Sequence, residues 1–101
     1  MDKRLKLVWS APALDDLDDI AAWIAAEDPR AAAGLVVRAL AAVERLLVHP
    51  NSGRRVPELD TPRYREVICP PCRIIYRREG ASVLIVHVVR SERLLRPDRL
   101  F

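Results

Sequence analysis

Residues 5–9, Leu-Lys-Leu-Val-Trp, alternate apolar and polar and carry β-branched and aromatic side chains, which predicts a short strand. From Ser10 the period changes. Ala13, Leu17, Ile20 and Ile24 recur at spacings of four, three and four, marking one face of a helix that reaches about Ala26. Ser10 reads as its N-cap, and Pro12 sits in the first turn, where a missing N–H costs nothing. Asp15 and Asp16 follow where the helix dipole favours anions, and Trp23 lies on the flank of the apolar face. Asp28-Pro29 then closes one helix and opens the next, so the two form an antiparallel hairpin.

The second helix, roughly Pro29 to Val48, carries two apolar seams. Val36, Leu40, Val43 and Leu47 form one; Leu35, Ala39, Ala42 and Leu46 form the other, about 90–100° round the helix by the 3.6 period. A helix on a single sheet needs one seam, so either both are core, against sheet and neighbouring helix, or one is left to receive a partner. His49-Pro50-Asn51-Ser52-Gly53 stops the helix, and residues 54–63 read as a connector.

Three strand signals follow, Tyr64–Ile68, Arg73–Arg78 and Val83–Arg90, joined by short links that make antiparallel hairpins. Pro70-Pro71 cannot supply the positive φ of a primed two-residue turn, so a longer loop is expected there. The order is strand, helix, helix, strand, strand, strand: an α+β domain over residues 1–101, a helical hairpin packed on one face of a largely antiparallel sheet. With loops of even length, Val67, Ile74, Tyr76, Val83, Ile85 and Val89 share the core face under the helices. Tyr64, Glu66, Ile68, Arg73, Ile75, Arg77, Val86, Val88 and Arg90 share the other. That second face is either a basic, partly apolar binding surface or an ion-paired structural one with Glu66 against Arg73 or Arg77.

Composition supports one domain: 101 residues, 50% hydrophobic but only 5% aromatic, so the core is aliphatic. The longest uncharged run, Gly80 to Val89, is about half of what a membrane helix needs, and no secretory signal is visible. A soluble cytoplasmic protein is expected. Net charge is +3, but it is unevenly held: residues 1–53 have six Lys/Arg against eight Asp/Glu, and residues 54–101 have eleven against six. All eleven are arginine, which forks two hydrogen bonds to a carboxylate or phosphate and cannot lose its proton, so the second half suits anion or acidic-partner recognition rather than proton chemistry.

Candidate chemistry is sparse. Cys69-Pro-Pro-Cys72 is followed by a strand and not the helix a redox CxxC opens, and only His49 and His87 are left to complete a zinc site. The pair is expected to be structural thiols, with Cys69→Ser/Cys72→Ser leaving the melting temperature unchanged to within a few degrees. His49 ends a helix, His87 lies on an inward strand face, and the serines show no nucleophile motif. No catalytic residue, metal or cofactor is expected. The tail from Arg90 holds four arginines against two acids, with Arg93, Arg96 and Arg99 every third residue and Leu94, Leu95, Leu100 and Phe101 as apolar anchors. It reads as a binding arm or as a cover for the sheet edge.

Taken in order, the pieces resemble a known family. They are Val8-Trp9-Ser10 with Ala13-x-x-Asp16-Leu17-x-x-Ile20, then Trp23-Ile24-Ala25 and His49-Pro50-Asn51-x-Gly53-Arg54. Pro57-Glu58-Leu59, Tyr64-Arg65-Glu66-Val67, Arg73-Ile74-Ile75-Tyr76-Arg77 and Arg90-x-x-Arg93 follow. This ordered set resembles a ParE-type toxin of the ParE/RelE toxin superfamily. The resemblance implies a β-α-α-β-β-β toxin of a type II toxin–antitoxin system, neutralised by a cognate ParD-like antitoxin in a heterotetramer or larger complex. ParE-like members are associated with poisoning DNA gyrase, RelE-like members with cutting mRNA in the ribosome. Where RelE-like nucleases share lysines after the second helix and a late Tyr or His, this chain has Arg54, Arg55, Leu95 and Arg96. The expectation is therefore a ParE-like inhibitor of gyrase that works by binding. The alternative is a ribosome-dependent endoribonuclease with Arg54, Arg65, Arg73 and Arg90 on phosphate. Target-binding candidates are Arg90, Arg93, Arg96, Arg99, Leu100 and Phe101. Antitoxin-binding candidates are Leu35, Leu40, Leu46, Leu47, Arg73, Arg77 and Arg90.

Overall fold

The computed structural model describes residues 5–93 and residue 95. Strand β1 (Lys6–Trp9) leads into helix α1 (Ala11–Ala25). The Ser10 hydroxyl accepts from the Ala13 N–H and donates to the Val86 carbonyl, so the cap that starts the helix also pins it to the last strand. Asp28 caps helix α2 (Pro29–Glu44) by accepting from the Ala31 N–H, with Pro29 at the first helical position. Beyond Glu44 the chain tightens into a single 3₁₀ turn, Arg45–Leu47, where the sequence predicts continued α-helix.

The rest is sheet: β2 (Arg54–Arg55), β3 (Tyr64–Cys69), β4 (Cys72–Glu79) and β5 (Ser82–Arg90). The strand order is β1-β5-β4-β3-β2, antiparallel throughout except that β1 runs parallel to β5 at one edge. Strand β2 was not legible within the connector, because two arginines carry no strand pattern and only their pairing with Arg65 and Glu66 makes them one. Among the described residues no helix is long and apolar enough to cross a membrane.

Both faces of the sheet are covered. On one, Ala13, Leu17, Ile20, Leu35, Ala39, Val43 and Leu46 from the helices pack on Ile74, Tyr76, Val83, Ile85 and Val88. On the other, Val56 and Leu59 from the connector join Tyr64, Ile75, Val86 and Leu95 in a smaller second core. The connector is thus a lid over the face the helices leave open.

Two details of register depart from the sequence expectation. Cys69 pairs directly with Cys72, so the hairpin loop is Pro70-Pro71 alone. Their peptide bond is cis, the geometry of a type VI turn, in which proline and not positive φ reverses the chain. The second departure is a β-bulge. Ile75 pairs with His87 but Tyr76 with Ile85, leaving Val86 as the extra residue. One inserted residue inverts the alternation beyond it. Val88 accordingly packs under the helices and Val89 against the second core, the reverse of the predicted sorting. Asp16 of α1 holds the bulge: its Oδ2 accepts the Val88 N–H at 3.0 Å and lies 2.8 Å from His87 Nδ1.

Candidate functional site

The second sheet face carries the densest polar chemistry of the described residues. Pairing of β2 with β3 draws the connector across the sheet and sets Glu58 opposite Arg73 on β4. The Arg73 side chain is 6% exposed, and its guanidinium makes a two-pronged contact with Glu58, Nη1 to Oε1 at 2.9 Å and Nη2 to Oε2 at 2.6 Å. Nη1 also donates to Glu66 Oε1 at 2.9 Å, and Nη2 to the Arg93 carbonyl at 2.9 Å. Glu66, with a wholly buried carboxylate, is shared with Arg54, whose Nε lies 2.5 Å from Oε2. Glu58 in turn accepts the Leu95 N–H at 2.7 Å. The hydrogen-bonded Arg73 guanidinium holds the Glu58 carboxyl down at about 2, against the opposing effect of its burial. The same contact raises Arg73 above the ordinary arginine range, so both groups remain ionised at physiological pH.

Alongside, Arg77 donates to the Tyr64 hydroxyl at 2.8 Å, pairs with Glu79 at 2.7 Å and lies over the Tyr64 ring. The second face is therefore an ion-paired surface at Arg73 and a half-buried cation at Arg77. Arg73, offered by sequence as a contact for an acidic partner, has its charge already matched by two carboxylates of its own chain. Arg90 is not on this face at all. The bulge turns it to the helix side, where its guanidinium stacks 4.0 Å from the Trp23 ring centre and pairs with Glu92. Trp23 is 60% exposed beneath it, a surface aromatic for which an i, i+3, i+4 reading offers no partner.

The apolar candidates divide in the same way. Leu35 and Leu46 are sealed in the main core, which removes them as surface contacts. Leu47 is half-buried, and Leu40 is 48% exposed beside exposed Val37. The second seam is thus core, and the first is open at Leu40. Leu40 and Arg77 lie on opposite sides of the sheet, so the expected combined apolar and basic surface is two surfaces. In the tail, Arg93 is exposed while its carbonyl is bound to Arg73; Arg96, Arg99, Leu100 and Phe101 lie outside the described residues.

A cleft of about 440 Å³ opens between the end of α2 and β3, rimmed by Arg45, His49, Ser52 and Arg54 over a floor that includes Leu46, Val67 and Ile68. Behind Gly53, which lines the cleft, the Tyr76 hydroxyl accepts the Gly53 N–H and donates to the Pro50 carbonyl, which fixes the loop after α2. Burial pushes that phenol's pKa up, so it stays protonated. Arg65 Nη1 donates to the Gly53 carbonyl at 2.8 Å. Among the described residues no group of three or more His, Cys, Asp or Glu side chains is placed to hold a metal ion. Glu58 and Asp16 are the polar residues that sequence reasoning missed. Each lies in a recurrent segment, but its partner is 15 or more positions away and is chosen only by the fold.

Comparison with known proteins agrees with this architecture. A solved structure titled "Chromosomal ParDE TA system from P. aeruginosa" superposes with a TM-score of 0.76, covering 90% of this chain and all of the matched one at 24% identity, which shows a shared fold. A Sinorhizobium fredii protein named "Putative toxin Y4kP" is 45% identical over 51 residues. That match takes in 50% of this chain and 53% of the relative, so the chain spans about half the length of the curated relative it matches. The family described as "ParE toxin of type II toxin-antitoxin system, parDE" matches residues 7–95, nearly the whole chain. With both helices, strands β2 to β5, all but the first residue of β1 and the Glu58–Arg73 lid inside that span, the chain belongs to the ParE toxin family of type II toxin–antitoxin systems.

Proposed function

We propose that this toxin acts in the cytoplasm by binding DNA gyrase through its arginine-rich C-terminal arm, and that a ParD-like antitoxin neutralises it. One observation carries the preference for binding over RNA cleavage. The four arginines a nuclease would direct at phosphate are dispersed and engaged: Arg54 with Glu66, Arg65 with the Gly53 carbonyl, Arg73 with Glu58 and Glu66, and Arg90 with Trp23 and Glu92 on the far side of the sheet. Transition-state stabilisation of a phosphate needs cations converging on one point. Arg93, Arg96, Arg99, Leu100 and Phe101 are the proposed target contacts. For the antitoxin, exposed Leu40 and Val37 on α2 offer apolar anchors, with Leu47 at their margin, and Arg77 and Arg90 offer cations to an acidic amphipathic partner. A heterotetramer or larger assembly is the form we propose for the complex.

The arm is tested by deletion. Removing residues 93–101 would also remove Leu95 from the second core and the carbonyl that Arg73 binds, so the informative truncation begins at Arg96. Induction of the full chain should produce DNA-damage signalling and cleaved gyrase–DNA complexes, and the chain ending at Leu95 should produce neither while still binding antitoxin. Codon-specific mRNA cuts on translating ribosomes, with supercoiling by purified gyrase untouched, would establish the nuclease reading in its place.

A further inference from the structure

The Arg73–Glu58 pair grips the root of the C-terminal arm at two main-chain atoms. Arg73 Nη2 donates to the Arg93 carbonyl, and Glu58 Oε2 accepts the Leu95 N–H. Between these contacts the chain commits Leu95, 5% exposed, to the second core. The next residues in sequence are Arg96, Pro97, Asp98, Arg99, Leu100 and Phe101.

We propose that Glu58 and Arg73 are positioning residues for the arm: they fix the register at which the chain leaves the sheet, and thereby the affinity of the arm for its target. The inference rests on the reading of the arm as the target-binding segment. Its physical basis is directionality. An apolar anchor such as Leu95 tolerates sliding, because burial is non-directional. A carboxylate and a guanidinium joined by two prongs offer one acceptor and one donor at set angles, the donor to the Arg93 carbonyl and the acceptor to the Leu95 N–H. Apolar residues would close the second core at no greater cost, since buried ion pairs pay heavily for desolvation. The arrangement also leaves Arg73 Nε buried without a hydrogen-bond partner among the described residues, so the guanidinium is oriented for Glu58, Glu66 and the tail at the expense of one donor. Holding the Arg93 carbonyl and the Leu95 N–H beforehand removes part of the ordering cost of binding.

Three variants of the full chain test this. Glu58→Gln breaks the charged fork. A Gly-Gly insertion between Leu95 and Arg96 leaves the fork intact but uncouples the arm from it. A chain ending at Leu95 removes the arm. Amide exchange at Leu95 is compared with Ile74 and Ile85, and potency is read as the inducer level for half-maximal growth arrest and the toxin concentration for half-maximal inhibition of gyrase supercoiling. For Glu58→Gln we expect Leu95 exchange to accelerate by about tenfold or more with Ile74 and Ile85 unchanged, as local opening allows. Potency in both assays should fall by about tenfold, at an unchanged plateau of inhibition. The insertion should keep Leu95 protected and the melting temperature unchanged, yet lose potency by a similar factor; a merely structural pair would not produce that loss. Wild-type potency of the insertion variant overturns the proposal even where Glu58→Gln fails to fold. Full arrest by the chain ending at Leu95 overturns the arm reading and this inference together. An inactive truncation beside a fully potent insertion overturns the positioning role alone. Growth arrest that tracks the variants without any gyrase inhibition keeps the positioning role and moves the target elsewhere.

Discussion

Gly53 shows how one residue ties the helical layer to the sheet. A Cβ there would lie 2.6 Å from the Tyr76 hydroxyl oxygen and 2.8 Å from the Glu66 carbonyl, distances that side chains do not tolerate. Gly53→Ala should therefore force Tyr76 off the loop and cost about 1–3 kcal/mol, seen as a lower urea midpoint with an unchanged slope. Glu58 makes a prediction in pH. Its folded-state value of about 2 lies below the ordinary 4.5, so the carboxylate stabilises the fold above the ordinary value and that contribution is lost as pH falls toward 2. The stability advantage of the natural chain over Glu58→Gln should shrink by on the order of 3 kcal/mol between pH 6 and pH 2, measured by denaturant titration at each pH. A constant difference would show that the Glu58–Arg73 contact persists with a protonated carboxyl.

At the scale of elements, the hairpin of β3 and β4 revises one expectation. Cys69 and Cys72 face the main core as a register pair, and burial, helped by the neighbouring thiol, pushes Cys72 up to about 11. Both are packing thiols, and Cys72 stays protonated and slow to alkylate at neutral pH. Replacing both with serine buries two hydroxyls in an apolar site, so the melting temperature should fall by roughly 10 °C, a loss of about 2 kcal/mol, instead of staying within a few degrees. The bulge in β5 is the other lesson at this scale. Alternation along Val83–Arg90 assigns faces correctly up to Val86 and inverts them after it, because the extra residue is accommodated by Asp16 on a different element. Nothing local in Val-His-Val-Val announces it.

For the whole molecule, the sheet separates the two surfaces on which antitoxin contacts are proposed. Leu40 lies on the outer side of the helical layer, and Arg77 lies against the second core. Leu40→Asp should weaken antitoxin binding by about tenfold or more through loss of a buried anchor. Arg77→Glu should act independently, and a double-mutant cycle read by calorimetry should give a coupling within about 0.5 kcal/mol of zero. A larger coupling would mean that one antitoxin segment bridges both sides.

The order of elements was written in the chain. Period, caps and punctuation are short-range properties, and Ser10, Asp28 and the 13-17-20 face act on their own helices whatever the rest does. Charge asymmetry and the ordered family pieces are likewise properties of sequence alone. What only the tertiary structure decided is which charges remain available. Arg73 and Arg90 are alike in sequence, each an arginine flanking a β-branched run, yet one is clamped by Glu58 and Glu66 and the other is turned by a bulge onto Trp23. Leu35 and Leu40 belong to the same helix, and packing alone put one in the core and the other at the surface. Those outcomes depend on contacts between residues as far as 71 positions apart, where local pattern carries no information and the shape of the packed layers carries all of it.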